Sequence, residues 1–323
     1  MQLCNLKVIL KHYLLLACLG FIFGAPPGFA QDTQLPSQVL TLAVHDRQGQ
    51  FINNIQREQI LVKGVSATVR HMELDTAPRR ILLLLDTSGS VGDTKTFSWS
   101  NIVQFGLRFV SQRSGDDSIG LDTLAEKDEV RIPFTTDSQS LVKQIEVLTS
   151  LGKGRTMLGV ALTEILSRKN EGLRFGDTIV LVSDGDRSDA DKTNFAHLQQ
   201  RLIRAGIRLC LVRVPGVMPR GATAESSNVS GIVKGTGGAE FDLTDIRQEF
   251  QLMKGARVAP ERLTSAAQYA YRFAQTYYRL DLDFSEPLTG PRQLQLEIGD
   301  QKKEELKGLR LNYPRVLLPP STD

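Results

Sequence analysis

Three short, almost purely apolar runs constrain the fold of this chain more than any other feature. They lie at residues 81–85, 178–182 and 207–214, the last of which also holds Arg208 and Arg213. A run without polar alternation is typical of a strand buried on both faces, as in the middle of a parallel sheet. Helical patterns separate the runs, so the sequence predicts an α/β fold: an open, doubly wound, mostly parallel sheet covered by helices.

Shorter patterns complete the order of elements in this region. Helices are predicted at residues 101–111, 139–148, 158–168 and 195–205. Two further strand patterns, at 118–124 and 130–134, are joined by too few residues for a crossover helix. They must form a hairpin, which places one antiparallel strand at an edge of the sheet.

Small strand-rich segments flank this α/β region, which we place at residues 79–245. Residues 36–77 alternate apolar and polar side chains in short bursts, the pattern of strands with one buried face. Residues 258–316 begin with a predicted helix at 260–273, and we expect this segment to pack beside the first one. Its strand candidates lie at 277–284, 292–298 and 308–311.

The first 30 residues have the order of an export signal. Lys7 and Lys11 precede an apolar run, and small residues follow up to Ala30. The run is about half the roughly 20 residues that a membrane span needs. We therefore expect cleavage near Ala30, a periplasmic or extracellular protein, and no transmembrane helix in the mature chain. A lipoprotein modified at Cys18 is the alternative, although the Leu two positions before it is atypical.

Composition argues against several kinds of protein. The chain has 39 basic and 36 acidic residues, and loss of the first 30 residues, which hold two Lys and no acid, leaves 37 against 36. Near-neutrality argues against binding to nucleic acid or to a membrane surface. Cys210 is the one cysteine beyond residue 30, so the mature chain can form no internal disulfide. Its apolar neighbours favour a buried, unreactive thiol.

Oxygen-bearing side chains follow two of the apolar runs. Asp86, Ser88 and Ser90 come directly after the first run, and Asp184 follows the second. Ligands of an open α/β sheet collect beyond the carboxyl ends of its strands. Thr156, in a glycine-containing loop that opens a helix, can add a third hydroxyl. Two carboxylates and three hydroxyls suit a hard divalent cation, Mg²⁺ first, with Mn²⁺ or Ca²⁺ as alternatives.

The order of these residues resembles the metal-ion-dependent adhesion site of von Willebrand factor type A (VWFA) domains. Asp-x-Ser-x-Ser after one core strand, a distant Thr, and Asp-Gly after a later core strand all match, over roughly residues 79–245. The flanks resemble, more loosely, those of bacterial exported proteins related to this domain. The resemblance implies a Rossmann-like VWFA fold and a metal-dependent binding module without enzymatic activity.

The resemblance also implies a role for each residue of the site. Ser88, Ser90 and Thr156 would face the cation. Asp86 and Asp184 would act largely through bound waters. An acidic side chain of a protein partner would complete the coordination shell, because neutral hydroxyls leave most of the cation's charge uncompensated.

Other interpretations of the same residues stay open. The cation could serve only to hold loops together in a structural envelope protein. A Mg²⁺-dependent phosphatase of the haloacid dehalogenase type also carries an Asp after an apolar strand, but it needs a second acid where this chain has Ser88. Alone, residues 86–90 could be a turn that caps the next helix. We expect Asp93 and Asp186 to be solvated loop acids, with contact to the ligands as the alternative.

Further motifs indicate no other site. Segments 152–156 and 235–238 lack the glycine spacing of nucleotide-binding loops. The histidines beyond residue 30 lie in different predicted elements and show neither metal-binding nor catalytic-triad spacing. The aromatic residues between 269 and 278 have helical spacing followed by a strand, so we expect them in the core and at its rim.

Overall fold

The computed structural model describes residues 37–126, 128–148, 154–168, 172–185, 191–216, 226–244, 256–299 and 308–320. The predicted export signal, with Cys18 and the cleavage position near Ala30, lies outside the described residues, as does Asp186.

The predicted elements occur in the predicted order, and the structure adds unpredicted ones, such as the helix Ser226–Gly235 and the strand Val316–Leu317. The strands are β1 (Ser37–His45), β2 (Ile60–Lys63), β3 (Ala67–Asp75), β4 (Arg80–Asp86), β5 (Ser118–Leu124), β6 (Asp128–Thr135), β7 (Thr178–Ser183), β8 (Arg208–Arg213), β9 (Glu240–Asp242), β10 (Tyr277–Phe284), β11 (Arg292–Gln293), β12 (Gln295–Ile298), β13 (Arg310–Asn312) and β14 (Val316–Leu317). The helices are α1 (Phe97–Ser111), α2 (Ser138–Val147), α3 (Leu158–Ser167), α4 (Phe195–Arg204), α5 (Ser226–Gly235) and α6 (Pro260–Gln275), with 3-10 turns at Arg57–Gln59 and Gly89–Val91.

A six-stranded sheet forms the α/β region, in the order β6-β5-β4-β7-β8-β9. Every neighbouring pair is parallel except β5 and β6, which pair antiparallel at one edge. The mostly parallel sheet and the predicted hairpin are therefore both confirmed.

The side chains of β4 show why its sequence is apolar throughout. Ile81, Leu83 and Leu85 pack into one cluster with α1, α2 and α6, whereas Leu82 and Leu84 pack into another with α3, α4 and α5. All five are almost fully buried. Burial of such a side chain stabilises the fold by roughly 1.5–3 kcal/mol, so a strand with apolar residues on both faces is stable only between two helix layers.

Helix α1 begins at Phe97, four residues before its predicted start. Thr96 is the N-cap, and its hydroxyl accepts a hydrogen bond from the backbone N–H of Trp99. The first turn contains two serines, so its sequence did not show the apolar spacing that is typical of a helix. Ser98 is nevertheless buried, so the apolar face of the helix includes this polar residue.

The two flanking segments form one antiparallel sheet in the order β13-β1-β10-β3. Strand β1 pairs with β10 from Ser37 opposite Asp283 to Leu42 opposite Tyr278. The prediction of a single strand at 292–298 was wrong, because β11 pairs with β14 while β12 pairs with β2. Between β11 and β12, Leu294 is buried in the core of the flanking region.

Helix α6 connects the flanking sheet to the central one. Ala266, Ala267 and Ala270 are buried on its inner face, where their small side chains allow close packing against the central sheet and α1. The ring of Tyr271 meets that of Phe109 edge-on, with centroids 5.6 Å apart. The residues from Pro36 to Asp323 accordingly form one compact unit.

Candidate metal centre

The two carboxylates of the predicted site follow neighbouring strands. Asp86 is the last residue of β4, and Asp184 comes directly after β7. Because β4 and β7 pair in parallel, both residues lie at the carboxyl edge of the sheet. Their relative exposures are 0% and 1%. Buried carboxylates need compensating donors or a cation, which makes this edge the chemically most demanding part of the central sheet.

Three hydroxyl oxygens meet beside these carboxylates. Ser88 Oγ lies 2.7 Å from Thr156 Oγ1 and 3.1 Å from Ser90 Oγ, and Ser90 Oγ lies 3.3 Å from Thr156 Oγ1. Each oxygen is therefore a neighbour of the other two. We call this arrangement the hydroxyl triangle. The structure thus brings together three side chains that sequence analysis could connect only through residue type and order.

Asp86 is held by one donor from the loop after β4 and one from the end of β7. Its Oδ1 accepts a hydrogen bond from the backbone N–H of Ser88 at 2.9 Å, and its Oδ2 accepts one from the Ser183 hydroxyl at 2.6 Å. The Ser183 hydroxyl oxygen in turn accepts from the backbone N–H of Gly185 at 2.9 Å. One chain of hydrogen bonds therefore links the loop after β4 with the loop that carries Asp184.

Backbone hydrogen bonds fix the position of Thr156. The N–H of Gly89 donates to the carbonyl of Gly154, and the N–H of Met157 donates to the carbonyl of Ala125. Gly154 has a φ of 86°, a conformation that glycine adopts without strain. The Thr156 loop is thus joined to the loops after β4 and β5, which holds its hydroxyl against Ser88.

Three residues that shape this site were not predicted from the sequence. Ser183 ends an apolar strand, and a hydroxyl at that position was the available signal. Asp191 is buried, and its Oδ2 accepts from the N–H of Gly159 at 2.6 Å, in the first turn of α3, just after Thr156. Gly216 approaches so closely that a Cβ on it would stand 2.7 Å from Asp184 Oδ2. Only the fold brings Asp191 and Gly216 to this edge.

Asp93 is an exposed loop acid, as predicted. Its Oδ1 accepts from the N–H of Lys95 at 2.9 Å, within its own turn. Among the described residues, no group of three or more His, Cys, Asp or Glu comes together as a metal site. A cation at the carboxyl edge would therefore depend on the hydroxyls as well as on the two carboxylates.

The spacing of the hydroxyl triangle fits a small divalent cation. Mg²⁺ holds oxygen ligands at about 2.0–2.1 Å in an octahedron, which places adjacent oxygens roughly 3.0 Å apart. The edges of the triangle, 2.7, 3.1 and 3.3 Å, bracket this separation. All five donors are oxygens, the ligand type that such ions prefer. The residues present are thus compatible with a bound cation.

Several solved structures resemble this chain at low sequence identity. An aerotolerance-related membrane protein from Bacteroides fragilis is 15% identical, with a TM-score of 0.45 over 61% of this chain and 98% of its own. Proximal thread matrix protein 1 from the mussel byssus, with a zinc-occupied MIDAS motif, is 12% identical, with a TM-score of 0.48 over 69% of this chain and 50% of its own. The manganese-loaded TRAP protein of Plasmodium vivax is 12% identical, with a TM-score of 0.42 over 75% of this chain and 96% of its own.

A comparison with curated proteins finds no match. The family model described as the von Willebrand factor type A domain matches residues 81–186. This stretch runs from the start of β4 to just beyond Asp184, so it spans the hydroxyl triangle and both carboxylates. With the six-stranded, mostly parallel sheet and its two helix layers, the match shows that this chain contains a von Willebrand factor type A domain.

Proposed function

We propose that this protein captures a protein partner through a divalent cation, which accepts an acidic side chain of the partner. Asp86, Ser88, Ser90, Thr156 and Asp184 would hold the cation. The hydroxyl triangle is the observation that carries the proposal, because three oxygens from two separate loops stand at ligand spacing. The VWFA domain supports it, since the matched stretch includes all five residues.

The chemistry of the donors supports binding of an acidic group. The three hydroxyl oxygens would hold the cation from one side and would leave the rest of its coordination shell to water and to an incoming ligand. Because hydroxyls are neutral, they do not cancel the charge of the cation. Asp86 already accepts hydrogen bonds from the Ser88 N–H and the Ser183 hydroxyl. This favours a role in which its carboxylate reaches the cation through bound waters, while the hydroxyls contact the cation directly. A carboxylate from outside is then the natural partner for the remaining positive charge.

Mg²⁺ is the cation we propose, with Mn²⁺ as the nearer alternative. Mg²⁺ binds in an octahedron with adjacent oxygens roughly 3.0 Å apart, and the edges of the hydroxyl triangle bracket this separation. Ca²⁺ takes six to eight oxygen ligands at about 2.3–2.6 Å, and it stays the further alternative.

We propose a binding module and not an enzyme. A phosphatase of the dehalogenase type needs an acid two residues after Asp86, and Ser88 stands there with its hydroxyl in the triangle. In the structural alternative, the cation serves only to hold loops together. That alternative predicts metal-dependent stability without a metal-dependent partner.

We also propose that residues 1–30 act as an export signal and that the mature protein is periplasmic or extracellular. Lys7, Lys11 and the small residues before Ala30 support this, and lipid attachment at Cys18 is the alternative. Among the described residues, no helix combines the length and the apolar character needed to cross a bilayer.

Calorimetric titration of the metal-stripped protein with Mg²⁺ and Mn²⁺ tests the site. The variant Ser88→Ala, Thr156→Ala removes two corners of the triangle, and Thr264→Ala, Ser265→Ala on α6 is the matched control. We expect saturable binding by wild type and control, and binding at least about tenfold weaker in the triangle variant, a loss of about 1.4 kcal/mol. Equal affinity in all three proteins would refute the site.

A second measurement separates the binding module from the structural alternative. Immobilised wild-type protein and triangle variant are each exposed to candidate partners with Mg²⁺ and with EDTA. We expect capture only by wild-type protein with Mg²⁺, and loss of capture when the partner's acidic residues are neutralised. Metal binding that raises the melting temperature while capture ignores EDTA would favour the structural role.

A further inference from the structure

A cavity of about 360 Å³ lies where the flanking sheet meets the edge of the central sheet. Its lining comes from the end of β1 and the turn after it, α5, the start of β9, α6 and β13. Pockets for small organic molecules commonly have volumes of roughly 300–1,000 Å³. The cavity shares no residue with the hydroxyl triangle or with the carboxylates beside it.

Three cationic side chains line the cavity: Arg47, Lys234 and Arg310. Across the part of the chain that the structure describes, none of them takes part in an ion pair. Glu240 also lines the cavity, but Arg213 pairs with it at 2.7 Å and the Ser230 hydroxyl donates to it. The lining therefore presents an excess of positive charge.

Aromatic and glycine residues give the cavity a defined shape. Tyr269 and Phe273 project from α6 into its lining. Gly49, with a φ of 74°, lets the Tyr269 ring pack so closely that a Cβ there would stand 2.7 Å from it. The stem of Arg47 occupies the space that a Cβ on Gly308 would need. Close packing thus positions one aromatic ring and one cation of the lining.

His45 is the buried polar residue of the lining. Its ring stacks on Phe273 at a centroid distance of 5.3 Å and meets Phe51 edge-on at 5.7 Å. Both ring nitrogens are buried and have no hydrogen-bond partner among the described residues. Burial, with the nearby positive charges of Arg208 and Arg310, lowers the pKa of His45 to about 4, against an opposing effect of Asp46. Buried polar groups normally have a hydrogen-bond partner, so a molecule within the cavity is the natural source of one.

We propose that this cavity binds a small molecule with an aromatic or other apolar body and one anionic group, a carboxylate, sulfonate or phosphate. The apolar body packs against Tyr269 and Phe273. The anionic group pairs with the excess cations of the lining, and one of its oxygens accepts a hydrogen bond from the neutral His45 ring. A ligand of this kind meets both requirements of the site, apolar contact and negative charge.

Two fluorescent probes of the same aromatic skeleton test the proposal: 1-anilinonaphthalene-8-sulfonate, and N-phenyl-1-naphthylamine, which lacks the sulfonate. The cavity variant is Arg47→Glu, Arg310→Glu. The matched control, Arg257→Glu, Arg272→Glu, makes the same change in net charge at exposed positions outside the lining. Because both variants change the net charge equally, probe bound elsewhere contributes equally to the two variants.

We expect the cavity variant to bind the sulfonate probe at least about tenfold more weakly than wild type, while the control stays within about twofold. Affinity for the uncharged probe should stay within about twofold in every protein. An equal loss of sulfonate binding in both variants, or no saturable binding by wild type, would overturn the proposal. Should the cavity variant fail to fold, Lys234→Glu on α5 replaces it, with the same expectation in direction.

The ring nitrogens of His45 give an independent readout. Their ¹⁵N signals are identified by their absence from a His45→Gln variant. We expect saturating sulfonate probe to shift them in wild-type protein. Signals that do not move while the probe is bound would place the probe elsewhere and overturn the assignment of His45.

Discussion

At the amino ends of β4, β5 and β8, buried charges meet partners from the flanking segments, whereas at the carboxyl end of β4 the buried Asp86 meets a hydroxyl and a backbone N–H of the central region. Arg79, just before β4, pairs with Asp75 at 2.9 Å. Asp117, just before β5, accepts a hydrogen bond from the Tyr271 hydroxyl at 2.8 Å. Arg208, the first residue of β8, donates to the last turn of α6.

The partners of the buried charges indicate a different role for each end of the central sheet. At the amino end, Arg79, Asp117 and Arg208 pair with carboxylates, hydroxyls and carbonyls of the flanking segments. At the carboxyl end, Asp86 accepts from neutral donors, and a triangle of hydroxyls stands beside it. We interpret the amino end as the region that attaches the flanking segments to the central sheet, and we call it the structural joint. We interpret the carboxyl end as a surface for an external cation.

The largest expected effect concerns the joint. The Arg208 guanidinium is fully buried and donates to the carbonyls of Phe273 and Ala274 at 3.1 and 2.9 Å. Arg208→Met removes both donors, and hydrogen bonds to a charged group contribute about 1.5–3 kcal/mol each. We expect the free energy of unfolding in urea to fall by about 4 kcal/mol, with metal affinity unchanged.

Arg204→Met on the exposed side of α4 is the control for this substitution, and it should change the free energy of unfolding by less than about 0.5 kcal/mol. A small effect at Arg208 as well would show that the carbonyls of α6 find other donors. A buried charge at the amino end would then contribute no more to the free energy of unfolding than a charge at the surface does.

The pH dependence of the free energy of unfolding tests a further buried charge at the amino end. Burial raises the pKa of Asp177, just before β7, from its ordinary 3.8 to about 6, against the hydrogen bond from Arg174 N–H and the charge of Arg80. The folded state then binds a proton more tightly than the unfolded state between these values. Stability should therefore fall as pH rises from about 4 to about 6, by at most about 3 kcal/mol.

Asp177→Asn should remove this loss, since the amide cannot ionise but can still accept from Arg174 N–H. The measurement is urea unfolding of wild type and variant at pH 4, 5, 6 and 7. Asp116→Asn, at an exposed position, removes the same charge without burial and should leave the pH dependence unchanged. Parallel curves for wild type and Asp177→Asn would contradict the raised pKa.

The order of the central elements could be predicted because burial on both faces leaves a sequence signal. Strand β5 and strand β10 have the bounds that were predicted, and the short connection after β5 sufficed to predict an antiparallel edge. The division of 292–298 into two strands could not be predicted, because it depends on which partner each half meets. Pairing partners such as β2 and β14 are distant in sequence.

The residues of the candidate site could be named for a similar reason. A carboxylate directly after an apolar strand is unusual enough to be noticed, as at Asp86 and Asp184. That these residues hold a cation stays a prediction. The support around them could not be foreseen, since Asp191 and Gly216 reach the site through the fold alone. The partners of Arg208 could not be foreseen either, because α6 is about 65 residues further along the chain.

The smallest expected effect concerns this support at the carboxyl end. A Cβ on Gly216 would stand 2.7 Å from Asp184 Oδ2 and 3.3 Å from its Cβ. Gly216→Ala should therefore displace the carboxylate, lower stability by about 1 kcal/mol and weaken Mg²⁺ binding by about tenfold. Calorimetric titration and urea unfolding measure the two effects.

Gly231→Ala on α5 is the matched control, because no described residue outside the neighbouring helix backbone lies within 4 Å of its added Cβ. Alanine favours a helix over glycine by up to about 1 kcal/mol, so this variant should be slightly more stable than wild type and bind Mg²⁺ equally well. If Gly216→Ala lowered stability but left Mg²⁺ affinity intact, the position of Asp184 would not matter to the cation. The carboxyl end would then resemble the amino end, with its buried charge serving the fold alone.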